Sequence, residues 1–316
     1  MQFSDCSVST QTFTIRSNIQ YIDLNKFYEI ITPDEYELPP ENIAVLIPKA
    51  EQKGIIAQIK YQQMKKGEDK GEKIKKKTKK NKDDNSKLKK NFLNCITIIM
   101  YANKRINIKF FKNGCLQLTG CKHINHVIIC INAIYKELTK NKECFIIENN
   151  NSDILVYIKS VMRNIDFDLG YEINRFTFLK KFIELCEKDE NVIFFDSVAD
   201  RTEVKIKIRI SKEEIKELPV IKINLSTQEI TMLKYENCMH IIEHDQKKIE
   251  SKFIDKFVTI TVYQNGKILL SGADKLLQKK YFEWFNYHVE KIKHLVIKPL
   301  PVVKKTFLVN HKAFRV

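Results

Sequence analysis

Phe110-Phe111-Lys112-Asn113-Gly114-Cys115-Leu116-Gln117-Leu118-Thr119-Gly120-Cys121 reads as two strands joined by a tight turn. Asn-Gly between alternating runs is the strongest short hairpin signal, and it predicts a two-residue type I′ turn with positive φ at both Asn113 and Gly114. The stretch returns once, as Val262-Tyr263-Gln264-Asn265-Gly266-Lys267-Ile268-Leu269-Leu270-Ser271-Gly272-Ala273. Phe111 and Tyr263, Gly114 and Gly266, and Thr119 and Ser271 are each 152 positions apart, with no gap between them. A lone Asn-Gly hairpin says little. An aromatic-x-Asn-Gly-x4-Thr/Ser-Gly pattern that recurs in register indicates internal duplication.

Outward from the two hairpins, the order of elements recurs as well. In the first half, Val8–Arg16 alternates as a strand, and Leu24, Phe27, Tyr28 and Ile31 fall at helical spacing. Ile55–Tyr61, Asn94–Tyr101, Ile106–Phe111 and Cys115–Thr119 read as strands, followed by a helix over Ile124–Leu138. In the second half, Ile154–Phe167 reads as a strand and Ile173–Leu185 as a helix with Phe176, Leu179, Phe182 and Ile183 on its apolar face. Glu203–Ile210 then alternates apolar and cationic residues, Ile221–Leu225 and Lys256–Tyr263 continue the sheet, and Leu276–Ile292 is the closing helix. The pattern predicts an α+β fold: two strand-helix-four-strand-helix repeats forming one curved antiparallel sheet, with the helices behind it. The expected boundaries are 1–145 and 150–297 for the repeats and 298–316 for a basic C-terminal arm.

The composition narrows the classes of function. With 316 residues and 43% hydrophobic content the chain can bury a core, and its formal charge of +16 favours a polyanionic partner. Half of that charge sits in Lys65–Lys90, thirteen lysines against five acids, which has too few apolar residues to pack and reads as a disordered insertion. That insertion could follow DNA phosphates, act as a nuclear-import signal, or have no dedicated partner. No window of about 18 apolar residues suggests a membrane span, and the polar N-terminus suggests no secretory signal. The eight cysteines form no CxxC pair, so reduced thiols in an intracellular protein are expected rather than a disulfide framework. Cys238, His240 and His244 have no evident fourth ligand, so neither a metal nor a cofactor is expected. Phosphate loop, nucleophile elbow and HExxH motifs are all missing, and Glu236, His240 and Glu243 read as a solvated loop or helix face. No enzyme is expected.

Helices on one side of the sheet would leave the other face open. The hairpin residues pointing that way are Phe111, Asn113, Cys115, Gln117 and Thr119, with Tyr263, Asn265, Lys267, Leu269 and Ser271 in the second copy. This neutral row with aromatic ends suits a minor groove, where apolar side chains meet sugars and an aromatic can wedge between base steps.

These residues resemble the TATA-box-binding protein family, and within it the divergent TATA-binding-like proteins of nucleocytoplasmic large DNA viruses. The resemblance rests on the duplicated element order and the aromatic-x-x-Gly-x4-Thr/Ser-Gly hairpins. It extends to the opening strand Val8-Ser9-Thr10-Gln11-Thr12, to Ile106–Gly114 with Thr119-Gly120-Cys121-Lys122, and to Met162-Arg163-Asn164-Ile165-Asp166-Phe167. It spans about residues 5–295 and is most specific at the hairpins. It implies a DNA-binding general transcription initiation factor, acting as a monomer on double-stranded AT-rich promoter DNA. The implied partners are a B-type general transcription factor and a multisubunit RNA polymerase. The compartment it implies is the host nucleus or a cytoplasmic viral factory, with packaging in the virion as a further possibility.

Carried over by residue, Phe111 and Tyr263 match the family's wedge on the hairpin strand, and Thr119 and Ser271 its groove-facing Thr. Thr12 aligns with the asparagine that reads the groove, with Asn164 close to that position in the second repeat. The second wedge of each repeat falls near Gly54 and Arg201, neither of which can intercalate. The alternative is that the fold persists as a protein-interaction scaffold in a viral transcription or virion complex, with only nonspecific DNA affinity. An RNA-binding sheet would need stacking aromatics in an RNP-like pattern, which the sequence lacks.

Overall fold

The computed structural model describes residues 2–35, 54–62, 64–67, 94–148, 153–196, 203–243 and 256–298. The first half runs β1 (Ser7–Ser17), β2 (Ile19–Ile22), α1 (Leu24–Ile30), β3 (Ile55–Tyr61), β4 (Met64–Lys66), β5 (Cys95–Tyr101), β6 (Arg105–Phe111), β7 (Leu116–Cys121), α2 (Ile124–Thr139) and β8 (Phe145–Ile147). The second runs β9 (Leu155–Asp168), α3 (Arg175–Cys186), β10 (Val192–Asp196), β11 (Glu203–Arg209), α4 (Lys212–Lys216), β12 (Pro219–Asn224), β13 (Ile230–Lys234), α5 (Tyr235–Ile242), β14 (Phe257–Tyr263), β15 (Lys267–Gly272) and α6 (Lys275–Val296).

The fold is α+β. Thirteen of the described strands form one antiparallel sheet whose main path is β10-β11-β14-β15-β9-β1-β7-β6-β5-β3-β4. β1 and β9 pair at its centre, and on either side the second strand of the glycine hairpin, β7 or β15, lies next to the first strand of its half. The registers recur too. Thr12 faces Thr119 and Asn107 faces Thr119 in the first half; Asn164 faces Ser271 and Thr259 faces Ser271 in the second. Cys95 faces Phe111 as Glu203 faces Tyr263.

Strict alternation puts one side of each strand in the core. Ile106, Ile108, Phe110, Leu116 and Leu118 are fully buried against α1 and α2; Val204, Ile206, Val258, Ile260, Val262 and Leu270 are buried against α3 and α6. Side-chain oxygens cap α1, α3 and α6: Asp23 accepts from the Asn25 and Lys26 amides, Asn174 from Thr177 and Asp274 from Leu276. Each satisfies amide groups that the first turn leaves without a helical partner.

Several expectations need correction. The hairpins are not two-residue type I′ turns. Only the glycines have positive φ, 72° at Gly114 and 84° at Gly266. The Phe111 amide donates to the Cys115 carbonyl, and the Gly114 amide donates back to Phe111. This is a three-residue loop in which a type I turn is closed by a left-handed glycine, so asparagine need not adopt positive φ. The Asn113 and Asn265 side chains instead accept from the Cys115 and Lys267 amides.

On α3 the buried face is Phe178, Phe182 and Cys186, while Phe176 is 67% exposed and Ile183 40%. Helix phase was set by where α6 lies, which apolar spacing alone left ambiguous. The fourth strand of the second half is β10, not Ile221–Leu225; β12 pairs instead with the Leu155–Lys159 end of β9. The short strands β2 and β8, which pair with each other, and the edge strand β4 went unread.

Lys65 and Lys66, expected in the disordered insertion, belong to β4, and the Lys66 ammonium donates to the Tyr28 and Glu29 carbonyls at the C-terminal end of α1. The rest of the lysine-rich insertion beyond Gly67, Arg201, His244 and the arm beyond Lys298 lie outside the described residues.

Candidate nucleic-acid interface

The face opposite the two cores carries every residue expected there from the hairpins. Phe111, Gln117, Thr119, Tyr263, Leu269 and Ser271 are half-buried, with buried strand neighbours on both sides of Gln117, Leu269 and Ser271 and on one side of the other three, and Asn113, Asn265 and Lys267 are exposed at or beside the turns. Thr12 is buried between Thr119 on β7 and Met162 on β9, and Asn164 lies between Ser271 on β15 and Thr10 on β1. The structure therefore brings Thr12 and Asn164 to matching positions, each opposite the hydroxyl of its own half.

Cross-strand pairing builds two rows from these residues. One runs Gln58–Ile99–Asn107–Thr119–Thr12, the other Ile193–Lys207–Thr259–Ser271–Asn164. Their centres are hydroxyls and carboxamides. Cations share the face beside them: Arg105 and Lys109 on β6, and Lys205, Lys207 and Arg209 on β11. Asn107, Thr259 and Gln58 were not singled out from sequence, although alternation from Phe111 and Tyr263 would have reached the first two. Gln58 follows a register shift in β3, which hides its facing from any alternation rule. Its amide is fully buried, and neither it nor the Oδ1 of Asn164 has a hydrogen-bond partner among the described residues. Such groups cost about 1–3 kcal/mol each and call for an explanation.

Two features interrupt this face. Asp166 and Asp168, opposite Leu269 and Lys267, put carboxylates on its second half. The segment between β11 and β14 is the larger interruption. The first half joins the corresponding strands with Ala102-Asn103-Lys104, whereas here α4, β12, β13 and α5 intervene. By pairing, Val220 on β12 shares a face with Lys159 and Thr14, and Tyr157 shares it with Arg16. Tyr157, Val220, Tyr235 and Cys238 are buried together, so α5 rests on the side that the other helices leave open.

The Tyr235 hydroxyl donates to Glu243 at 2.8 Å, and the Lys159 ammonium lies 3.1 Å from the Tyr235 ring centroid and 3.9 Å from Glu243. Burial, and then the Glu243 carboxylate, holds the Tyr235 hydroxyl well above the usual tyrosine range, so it stays a donor. Glu243 is thus a largely buried anchor and not the solvated residue expected, while Glu236 and His240 are exposed. A cleft of about 380 Å³ remains between this segment (Ile215, Tyr235, Ile242) and the sheet residues Thr14, Met162, Thr259 and Ser271.

Fold and face define a sheet-platform protein, two similarly wired halves each presenting a row with hydroxyl and carboxamide groups at its centre. No family model matches the chain. The uncharacterized protein 335L of Invertebrate iridescent virus 6 is 29% identical over 220 residues, 66% of this chain and 63% of that protein. A protein of Acanthamoeba polyphaga mimivirus described as TATA-box-binding protein-like is 36% identical over 111 residues, 31% of this chain and 29% of that protein. The chain thus matches less than two thirds of either relative's length. Methanococcus jannaschii TBP is a similar solved structure, with a TM-score of 0.43 at 12% identity, covering 90% of this chain and 98% of that one. By sequence, about a third of the chain is thus similar to a TATA-box-binding-protein-like protein of a large DNA virus.

Proposed function

We propose that the chain is a DNA-binding transcription initiation factor, not an enzyme, whose polar strip meets the minor groove of AT-rich promoter DNA. The observation that carries this reading is the recurrence of one row in both halves, Asn107–Thr119–Thr12 and Thr259–Ser271–Asn164, at matching registers. Short hydroxyl and amide side chains offer donors to the acceptors of an A·T minor groove. Lys109, Lys205, Lys207 and Arg209 neutralise phosphates, which supplies affinity without sequence preference. Phe111 and Tyr263, the last residues of β6 and β14, are the two available wedges. Recruitment of a B-type factor and a multisubunit polymerase follows from the same reading, as do two repeats at 1–145 and 150–297.

The test is binding to AT-rich and GC-rich duplexes across a salt series, with and without Glu68–Lys90, a deletion that leaves β4 in place. An AT preference that survives the deletion and moderate salt is expected. The double variant Phe111→Ala, Tyr263→Ala should lose about tenfold or more, because each wedge contributes contact that offsets unstacking. Indifference of binding to that double change would sink the groove reading.

A second reading is favoured by α5 and by Asp166 and Asp168, which obstruct and charge the same face unfavourably for DNA. In it the strip contacts a protein. Complete loss of DNA affinity on deleting Glu68–Lys90 would then be seen.

A further inference from the structure

Monomeric sheet proteins guard their edges with short strands, lysines or a covering element. The edge strand β4 follows that rule, with three residues, Met64-Lys65-Lys66. β13 does not. Among the described residues it pairs with β12 alone, and its five residues Ile230-Thr231-Met232-Leu233-Lys234 are almost all exposed. Ile230 is 59% exposed and Met232 65%. Both lie opposite β12 residues, Ile223 and Ile221, that pack on the first core, so they face the α2 side of the sheet. On that side a groove of about 800 Å³ opens between α2 and the β12–β13 turn, bordered by Phe145, the 58% exposed Ile146 and Leu225.

We propose that β13 is a self-association edge, covered by β13 of a second copy of this chain in antiparallel pairing. A two-fold axis normal to the sheet keeps every residue on its own face, so paired positions must both be even or both be odd. Of the registers this allows, the one centred on Met232 pairs all five residues. It sets Met232 on Met232 of the second copy, Ile230 beside the aliphatic stem of Lys234, and Thr231 opposite Leu233. No like charges meet, and the free backbone groups of both edges are paired. The strand is self-complementary, which is the argument for a second copy over a foreign strand. An interface built on five residues a side falls in the small class, so the dimer forms with rising concentration and is not obligate. This departs from the monomer expected from sequence and does not depend on DNA binding.

Sedimentation of the full chain over a concentration series tests it. The wild type should move from monomer toward twice the monomer mass, and Met232→Lys, at a position already in solvent, should stay monomeric with an unchanged melting temperature. Met232→Cys should give a disulfide-linked dimer under mild oxidation, because directly paired Cα atoms lie about 4.5–5.5 Å apart, within disulfide reach. Thr231→Cys, which faces Leu233 of the second copy, should cross-link far more slowly. A wild type that remains monomeric at its highest soluble concentration overturns the proposal. So does a Met232→Lys variant that dimerises like wild type, or equal cross-linking at the two cysteine positions.

Discussion

Glu243→Gln should release a largely buried charge. The Glu243 and Lys159 side chains are 12% and 14% exposed, and their charged atoms are 3.9 Å apart. Glutamine keeps an acceptor for the Tyr235 hydroxyl and removes only the charge, so the buried Lys159 ammonium loses the Glu243 carboxylate facing it. Breaking a buried pair in this way costs about 3–5 kcal/mol. The separation is at the outer limit of contact, and the Tyr235 ring still faces the ammonium, an interaction of about 0.5–2 kcal/mol. Both lower the expected loss to roughly 2–3 kcal/mol. Adding Lys159→Met should recover part of it, because an apolar stem replaces a buried charge that has lost the Glu243 carboxylate, and the double-mutant cycle should show coupling of about 1–3 kcal/mol. Urea unfolding of the four proteins measures this directly, and hydrogen exchange in α5 shows whether the loss is local. A single-variant loss under about 0.5 kcal/mol, or a double variant no better than Glu243→Gln, would refute the view that this pair anchors α5 to the sheet.

Gly266→Ala should destabilise far more than Gly170→Ala. Both glycines have positive φ, 84° and 81°, which costs alanine about 1–2 kcal/mol, but a Cβ at 266 would lie 2.2 Å from the Tyr171 carbonyl oxygen and at 170 would meet nothing within 4 Å. Equal melting temperatures for the two variants would count against the hairpin geometry. His126 accepts the Lys122 amide at Nδ1, and burial, then His123, Lys104 and Lys122, lowers its pKa to about 4. Because the folded value is depressed, stability is full above the unfolded value near 6.5 and falls as pH drops toward 4, by about 3 kcal/mol at most. His126→Gln should flatten that stretch of the Tm–pH curve. Asn174→Ala should cost about 1 kcal/mol through the lost cap on Thr177, read by thermal melting, whereas Asn174→Asp should cost little.

The relation of face to sequence explains where reading residues succeeded. Ile106–Phe111 and Glu203–Ile210 alternate so regularly that the buried side could be assigned before any partner was known. A second face then follows for Gln117, Thr119, Leu269 and Ser271. Recurrence of the hairpin located the two halves, and its offset of 152 also carries Thr12 onto Asn164, a match that only the pairing with Thr119 and Ser271 made certain.

The sequence by itself determined what is local or periodic: the regularly alternating strands and their sidedness, the two glycine hairpins, and the positions of α1, α2, α3 and α6. Chain geometry within a few residues fixes those. Tertiary structure decided the remainder. It turned α3 toward Phe178 and away from Phe176, because the buried phase of a helix depends on its neighbour α6. It sent β12 to β9, because β15 covers only Arg163–Asp168 and leaves the Leu155–Lys159 edge free to take a strand from far along the chain. It then folded α5 over that extension and buried Glu243 on a face that alternation alone had left open. Which edge is unoccupied, and what settles upon it, is a property of the assembled sheet; no window of sequence contains it.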